Sequence, residues 1–196
     1  MRVVLFNHLT LDGVMQAPGR ADEDTRDGFQ YGGWTAPYGD AVMGAKVAQE
    51  MAQGAGRGGA LLFGRRTYED FYSVWPKRTD NPFTEPLNRM TKYVASRTLT
   101  APLPWSNSVL LAGDACDAVA QLKRSGEGGL TIMGSGVLAR SLMHRGLIDQ
   151  YLLMIHPLVL GSGRRLFAEH GDFAKLRLVE ALPTTTGVIM ATYEPA

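Results

Sequence analysis

Three short apolar runs in this chain stop abruptly at a small residue, and basic or hydroxyl side chains sit at each stop. Ala60-Leu61-Leu62-Phe63 gives way to Gly64-Arg65-Arg66-Thr67, Lys92-Tyr93-Val94-Ala95 to Ser96-Arg97, and Leu130-Thr131-Ile132-Met133 to Gly134-Ser135-Gly136. Short, nearly continuous apolar runs bounded by turn signals read as strands buried on both faces. Such strands occur where helices cover a parallel sheet from both sides. The three turns are read as the openings of helical segments.

The rest of the chain fits the same scheme. Val3 to Leu9 reads as a buried first strand, broken by Asp12-Gly13-Val14-Met15-Gln16-Ala17-Pro18-Gly19. Residues 20–39 form a polar loop holding Tyr31, Trp34 and Tyr38, which either cover a pocket or pack on the core. Asp40 can cap a helix running to about Gln53, and a second helix follows Gly64. Asn81 to Leu87 reads as loop or a helical turn, Ser108 to Leu111 as a strand, and Asp114 to about Arg124 as a helix. A further helix follows Gly134-Ser135-Gly136. Gln150 to Leu160 reads as a strand interrupted by Pro157, which predicts an edge position or a bulge. Lys175 to Leu182 and Val188 to Tyr193 form a closing hairpin around Pro183-Thr184-Thr185-Thr186-Gly187. The predicted fold class is therefore α/β: three layers, a mixed and mostly parallel sheet, and a C-terminal antiparallel hairpin.

With 196 residues and no linker, repeat or low-complexity stretch, residues 1–196 read as a single domain. Twenty basic and 19 acidic residues leave a net charge of +1, which argues against general attraction to nucleic acid or an anionic membrane. The one cysteine, Cys116, cannot form an internal disulfide or a cysteine-rich zinc site. The apolar start is too short for a secretory signal, and no run reaches the ~20 residues of a membrane helix. The expected location is the cytoplasm.

In an open parallel sheet, ligands sit at the carboxyl ends of the strands. A helix opening there aims unpaired N–H groups and the positive end of its dipole at the ligand. Glycine permits close backbone approach, and arginine forks onto phosphate. The three turns in order suit an elongated, phosphorylated ligand along one sheet edge. Neither G-x-G-x-x-G after the first strand nor G-x-x-x-x-G-K-[ST] is present, so the Rossmann and P-loop readings lack support.

Four segments now carry a resemblance. They are Leu11-Asp12-Gly13, Leu62 to Tyr68, Tyr93 to Arg97, and the block from Gly134 through Gly146-Leu147-Ile148-Asp149 and His156-Pro157 to Leu166-Phe167. Together they resemble the dihydrofolate reductase-like superfamily, in the branch of the riboflavin-biosynthesis reductase (RibD C-terminal) domain and its stand-alone bacterial relatives. The resemblance spans nearly the whole chain. It implies an NADPH-dependent reductase acting on an unsaturated heterocycle of pterin or pyrimidine type, with 5-amino-6-(5-phosphoribosylamino)uracil as one candidate. It implies that Gly64, Arg65 and Thr67 meet cofactor phosphates, that Ser96 and Arg97 lie near the adenosine 2′-phosphate, and that Gly134, Ser135, Gly136, Val137 and Leu138 lie under the pyrophosphate and nicotinamide side. It also implies a homodimer.

Two departures stand out. Folate-type members often join two glycines by a cis bond at the last turn, where this chain has Ser135. The riboflavin reductases often carry glutamate just before it, where this chain has Met133. A zinc deaminase half would need an H-x-E and P-C-x-x-C pattern, which one cysteine cannot supply.

Hydride transfer to a C=N bond needs a proton source or a polarising group. Asp40, at the start of the first helix, and Asp12, on the loop after the first strand, are the candidate catalytic acids. A helix cap and a turn aspartate are their structural alternatives. His8, His144, His156 and His170 are scattered without metal-ligand spacing, and His156 before Pro157 reads as structural. Two alternatives to the reductase keep the fold: a nucleotide-binding module without turnover, and a flavin-binding relative.

Overall fold

A computed structural model describes all residues except 56, 57, 168–170 and 172, so His170 lies outside the described residues. The strands are β1 (Arg2–Thr10), β2 (Ala60–Gly64), β3 (Thr91–Ala95), β4 (Ser108–Leu110), β5 (Gly129–Met133), β6 (Gln150–His156), β7 (Leu176–Pro183) and β8 (Ile189–Pro195). The helices are α1 (Ala41–Ala55), α2 (Arg65–Val74), α3 (Thr84–Arg89), α4 (Ala115–Ser125) and α5 (Gly136–His144).

The strands form one sheet in the order β4-β3-β2-β5-β1-β6-β8-β7. All pairings from β4 to β6 are parallel, and β8 pairs antiparallel with both β6 and β7. The predicted α/β/α layering with a closing hairpin is what the chain adopts.

Alternation along the strands builds two cores. Val3, Leu5 and Leu9 of β1, with Leu62 and Ile132, pack against Val119 of α4 and Leu138, Ala139 and Leu142 of α5. On the other face Phe6 and Met154 meet Met43 and Val47 of α1, while Leu61, Phe63 and Val94 meet Tyr68 of α2 and Leu87 of α3. Each fully buried aliphatic side chain contributes about 1.5–3 kcal/mol. One charge is buried among them. Lys92 donates to the carbonyls of Leu87, Asn88 and Met90 at 2.7, 3.0 and 2.7 Å and lies over the Trp105 ring. It thereby ties the end of α3 to β3.

Pro157 does not place its strand at an edge. β6 runs between β1 and β8 and ends at His156. The proline therefore follows the last ladder residue, where its missing N–H costs no strand pairing. The register shift lies on β7, between Leu178 and Glu180. The stretch after Asn81 contains a true short helix, α3.

Candidate active site

The strand order makes neighbours of the three turns. β3, β2 and β5 are adjacent and parallel, so Ser96-Arg97, Gly64-Arg65 and Gly134-Ser135 follow one another along one rim. Gly64 is the register partner of Ala95, the residue before Ser96.

Two of the turns are bonded to each other. The Gly64 amide donates to Ser135 Oγ at 2.9 Å, and the Ser135 amide donates to Thr67 Oγ1 at 3.1 Å. Ser135 Oγ donates in turn to the Met133 carbonyl at 3.1 Å. From β1, Asn7 Nδ2 reaches the Gly134 carbonyl at 3.2 Å. Gly134 and Ser135 both take left-handed backbone angles, φ 58° and 53°. At Gly134 a Cβ would lie 3.1 Å from the Thr67 methyl and the φ is positive, so the turn favours glycine there. The Gly134–Ser135 peptide is trans; the cis bond among the described residues is Ala101–Pro102.

These contacts leave α2 and α5 without side-chain caps. The N-cap of α2 is Gly64, which has no side chain to offer, and the N-cap of α5 is Ser135, whose hydroxyl accepts from no amide of the first turn. α4 differs: Asp114 accepts from the Cys116 and Asp117 amides at 2.9 and 3.2 Å. The opening amides of α2 and of Gly136, Val137 and Leu138 therefore remain available to an acceptor outside the chain. The Leu138 side chain itself is buried in the core, while Val137 is 66% exposed.

The basic groups differ in readiness. Arg65 pairs with Glu69 at 2.9 Å. Arg97 is exposed and makes no ion pair among the described residues, and the same holds for Arg66 on α2. Ser96 does not open a helix. Its Oγ accepts from the Thr98 and Leu99 amides at 3.1 and 3.0 Å and builds a tight turn that projects Arg97 outward.

Asp12 accepts from Thr10 Oγ1 at 2.5 Å and from the Leu160 and Gly161 amides at 3.2 and 2.9 Å. Desolvation alone would raise its pKa, but these hydrogen bonds outweigh it and hold the carboxylate below its ordinary value. Asp40 caps α1 by accepting from the Met43 amide at 2.8 Å, and its second oxygen accepts from the Thr185 amide and hydroxyl, both at 2.7 Å. The Met43 amide and then Thr185 hold this carboxylate low as well. Both aspartates are thus ionised at neutral pH, with their oxygens occupied.

The aromatic loop closes on β6. Trp34 and Tyr38 meet the His156 ring edge-on at 5.1 and 5.3 Å, whereas Tyr31 stays 52% exposed. Arg20 ties the loop to α2 through Asp70 at 2.5 Å. Under this loop lies a pair that the sequence did not bring together: His8 Nδ1 is 2.9 Å from His156 Nε2. Burial pulls His156 down to about 4. Burial first, then the charge of His156, pulls His8 down to about 3. Among the described residues no group of acids, histidines or cysteines is arranged to hold a metal ion.

A cavity of about 230 Å³ lies between α1 and the sheet, walled by Phe6, Val47, Met51, Met133 and Leu152. It extends toward Arg2, Gly129 and Gln150, at the opposite ends of the strands from the glycine turns.

Fold and rim together define a dihydrofolate reductase-like domain. Residues 2–190 match the RibD C-terminal domain, and the chain belongs to that family. It is 28% identical over 138 residues to the uncharacterized protein YyaP of Bacillus subtilis (strain 168), covering 68% of this chain and 72% of YyaP. A Shewanella sp. PV-4 protein, provisionally named as a riboflavin biosynthesis protein, superposes with a TM-score of 0.70 at 22% identity, covering 100% of this chain and 99% of that one. A pyrimidine reductase-like protein from Corynebacterium diphtheriae gives a TM-score of 0.64 at 13% identity over 100% of this chain and 92% of that one. Acinetobacter baumannii RibD gives 0.61 at 14% identity, where this chain spans 58% of the longer protein. The fold is thus that of a riboflavin-pathway-type reductase. No helix among the described residues is long and apolar enough to cross a membrane.

Proposed function

We propose that this protein is an NADPH-dependent reductase that transfers hydride to an unsaturated heterocycle of pterin or pyrimidine type. The observation that carries the reading is the contiguous rim of three turns with two uncapped helix openings. Unpaired amides at a helix start bind phosphate oxygens. Gly64 and Thr67 brace the rim with Ser135, and the amides of Arg65, Gly136, Val137 and Leu138 face the dinucleotide. Arg97 and Arg66, which form no ion pair among the described residues, supply positive charge for the adenosine 2′-phosphate. The cofactor supplies the hydride. The chain's own residues hold the phosphates and orient the acceptor ring.

Asp12 and Asp40 serve this site as fixed negative charges that hold the loop after β1 and the start of α1. The proton then reaches substrate from water. A pyrimidine is favoured by the likeness to the pyrimidine reductase-like protein of C. diphtheriae. We also propose a homodimer in the cytoplasm. The edge strand β7 is exposed along most of its length, including Leu178 and Val179, and offers a surface for a second copy.

One observation favours a second reading. With both aspartates ionised and occupied, the fold could hold a nucleotide without reducing anything. NADPH consumption with 5-amino-6-(5-phosphoribosylamino)uracil and with dihydrofolate tests the two. Turnover with NADPH in preference to NADH supports the reductase. Tight NADPH binding without turnover of either heterocycle transfers support to the binding module, and no NADPH binding removes both.

A further inference from the structure

We propose that His8 contacts the heterocycle as a hydrogen-bond donor, with its proton fixed on Nε2 by His156. This rests on the reductase reading above and names the residue that recognises the acceptor ring. β1 presents Asn7 and His8 to opposite faces of the sheet. Asn7 braces Gly134, on the cofactor turn. His8 shares the α1 face with Phe6, whose ring it meets edge-on at 6.1 Å. Phe6 is the register partner of Met133, the residue before the cofactor turn, so a ring bound over Phe6 would lie next to His8.

The tautomer follows from the environment of the partner. His156 is fully buried between Trp34, Tyr38 and His8, and its Nδ1 has no hydrogen-bond partner among the described residues. Both imidazoles are neutral at neutral pH, so only one can donate across the 2.9 Å contact. If His8 donated, the proton of His156 would sit on Nδ1 as a buried N–H with no acceptor. Orphaned buried N–H groups are the rarer and costlier defect. If His156 donates from Nε2, only a lone pair is left unmatched. His8 Nδ1 then accepts, and its proton must lie on Nε2. His8 is partly exposed, and no described residue bonds that second nitrogen. A neutral N–H fixed in this way suits a ring carbonyl or imine nitrogen. It polarises the acceptor without giving up its proton, and it rejects rings that offer only N–H groups there. His156 is the positioning residue: it touches His8 and not the ligand.

The test reads the native protein first. Long-range proton–nitrogen NMR assigns the His8 and His156 tautomers, and 5,6-diaminouracil is then titrated in the presence of NADPH. We expect protons on Nε2 of both rings and a shift of the His8 Nε2–H resonance on titration. His8→Phe is expected to weaken the pyrimidine at least tenfold, while NADPH affinity stays within twofold. His8→Asn, which keeps a donor, recovers part of the loss. A proton on His8 Nδ1, no movement of His8 across the titration, or equal pyrimidine affinity in His8→Phe overturns the inference. Failure of the reductase reading is seen separately, as absent NADPH binding in the parent protein.

Discussion

The hydroxyl of Ser135 accepts the amide hydrogen of Gly64 at 2.9 Å, joining the first turns of two helices that lie 71 residues apart in the chain. Because that hydroxyl is used between the two turns, it caps neither helix. The same contact that fixes the rim leaves its amides free.

Ser135→Ala removes the acceptor and leaves a part-buried amide without its partner. The expected cost is about 1–3 kcal/mol of stability, with weaker NADPH binding because the two helix openings lose their shared brace. Urea midpoints and an NADPH fluorescence titration check both. Unchanged values in both would show that the contact braces nothing.

Arg97→Ala removes a guanidinium that serves no ion pair among the described residues. Hydrogen bonds to charged groups are worth about 1.5–3 kcal/mol, so NADPH affinity should fall roughly 10- to 100-fold while NADH affinity barely changes. Stability should not change. Equal preference between the two cofactors before and after the substitution would exclude Arg97 from the 2′-phosphate.

Acid should destabilise the protein through the histidine pair. The folded pKa values, about 3 for His8 and about 4 for His156, lie below the ordinary 6.5. Between those limits the unfolded chain binds more protons. Stability from this source is present above about pH 6.5 and is lost as pH falls toward the folded values, by up to about 1.4 kcal/mol per pH unit for each proton. Urea midpoints from pH 7 to pH 4 measure it, and His156→Asn should flatten the slope. An identical slope in that variant would place the acid sensitivity elsewhere.

Asp40→Ala should lower Tm, because α1 loses its cap and the β7–β8 turn loses its tie through Thr185. NADPH affinity should hold. A loss of turnover with Tm unchanged would return Asp40 to the reaction itself.

A homodimer predicts a light-scattering mass of twice 21.3 kDa. Val179→Lys on β7 should lower it toward the monomer. A monomeric parent would remove the β7 interface.

Local signals carried much of this. The runs ending at Phe63, Ala95 and Met133 were legible as strands because burial on both faces leaves no polar alternation. Asp40 was legible as a cap from its place before an apolar helical stripe. The position of β6 was not, since Pro157 reads the same whether it interrupts a strand or follows one. The His8–His156 pair was not legible either. It depends on the register of β1 with β6 across 148 residues, and neither histidine has a local motif. Ser96 follows an apolar strand as a helix opening does, but its hydroxyl accepts from the Leu99 amide and closes a turn instead, a contact with no local sequence signal.

Insertion of β5 between β1 and β2 has a consequence for how the protein matures. A nascent chain that has emerged only as far as Gly128 possesses the first two turns of the rim but lacks both β5 and the third turn. On the proposed reading, dinucleotide capture is therefore a late event in biogenesis, and nucleotide retention would report that the central seam of the sheet has closed.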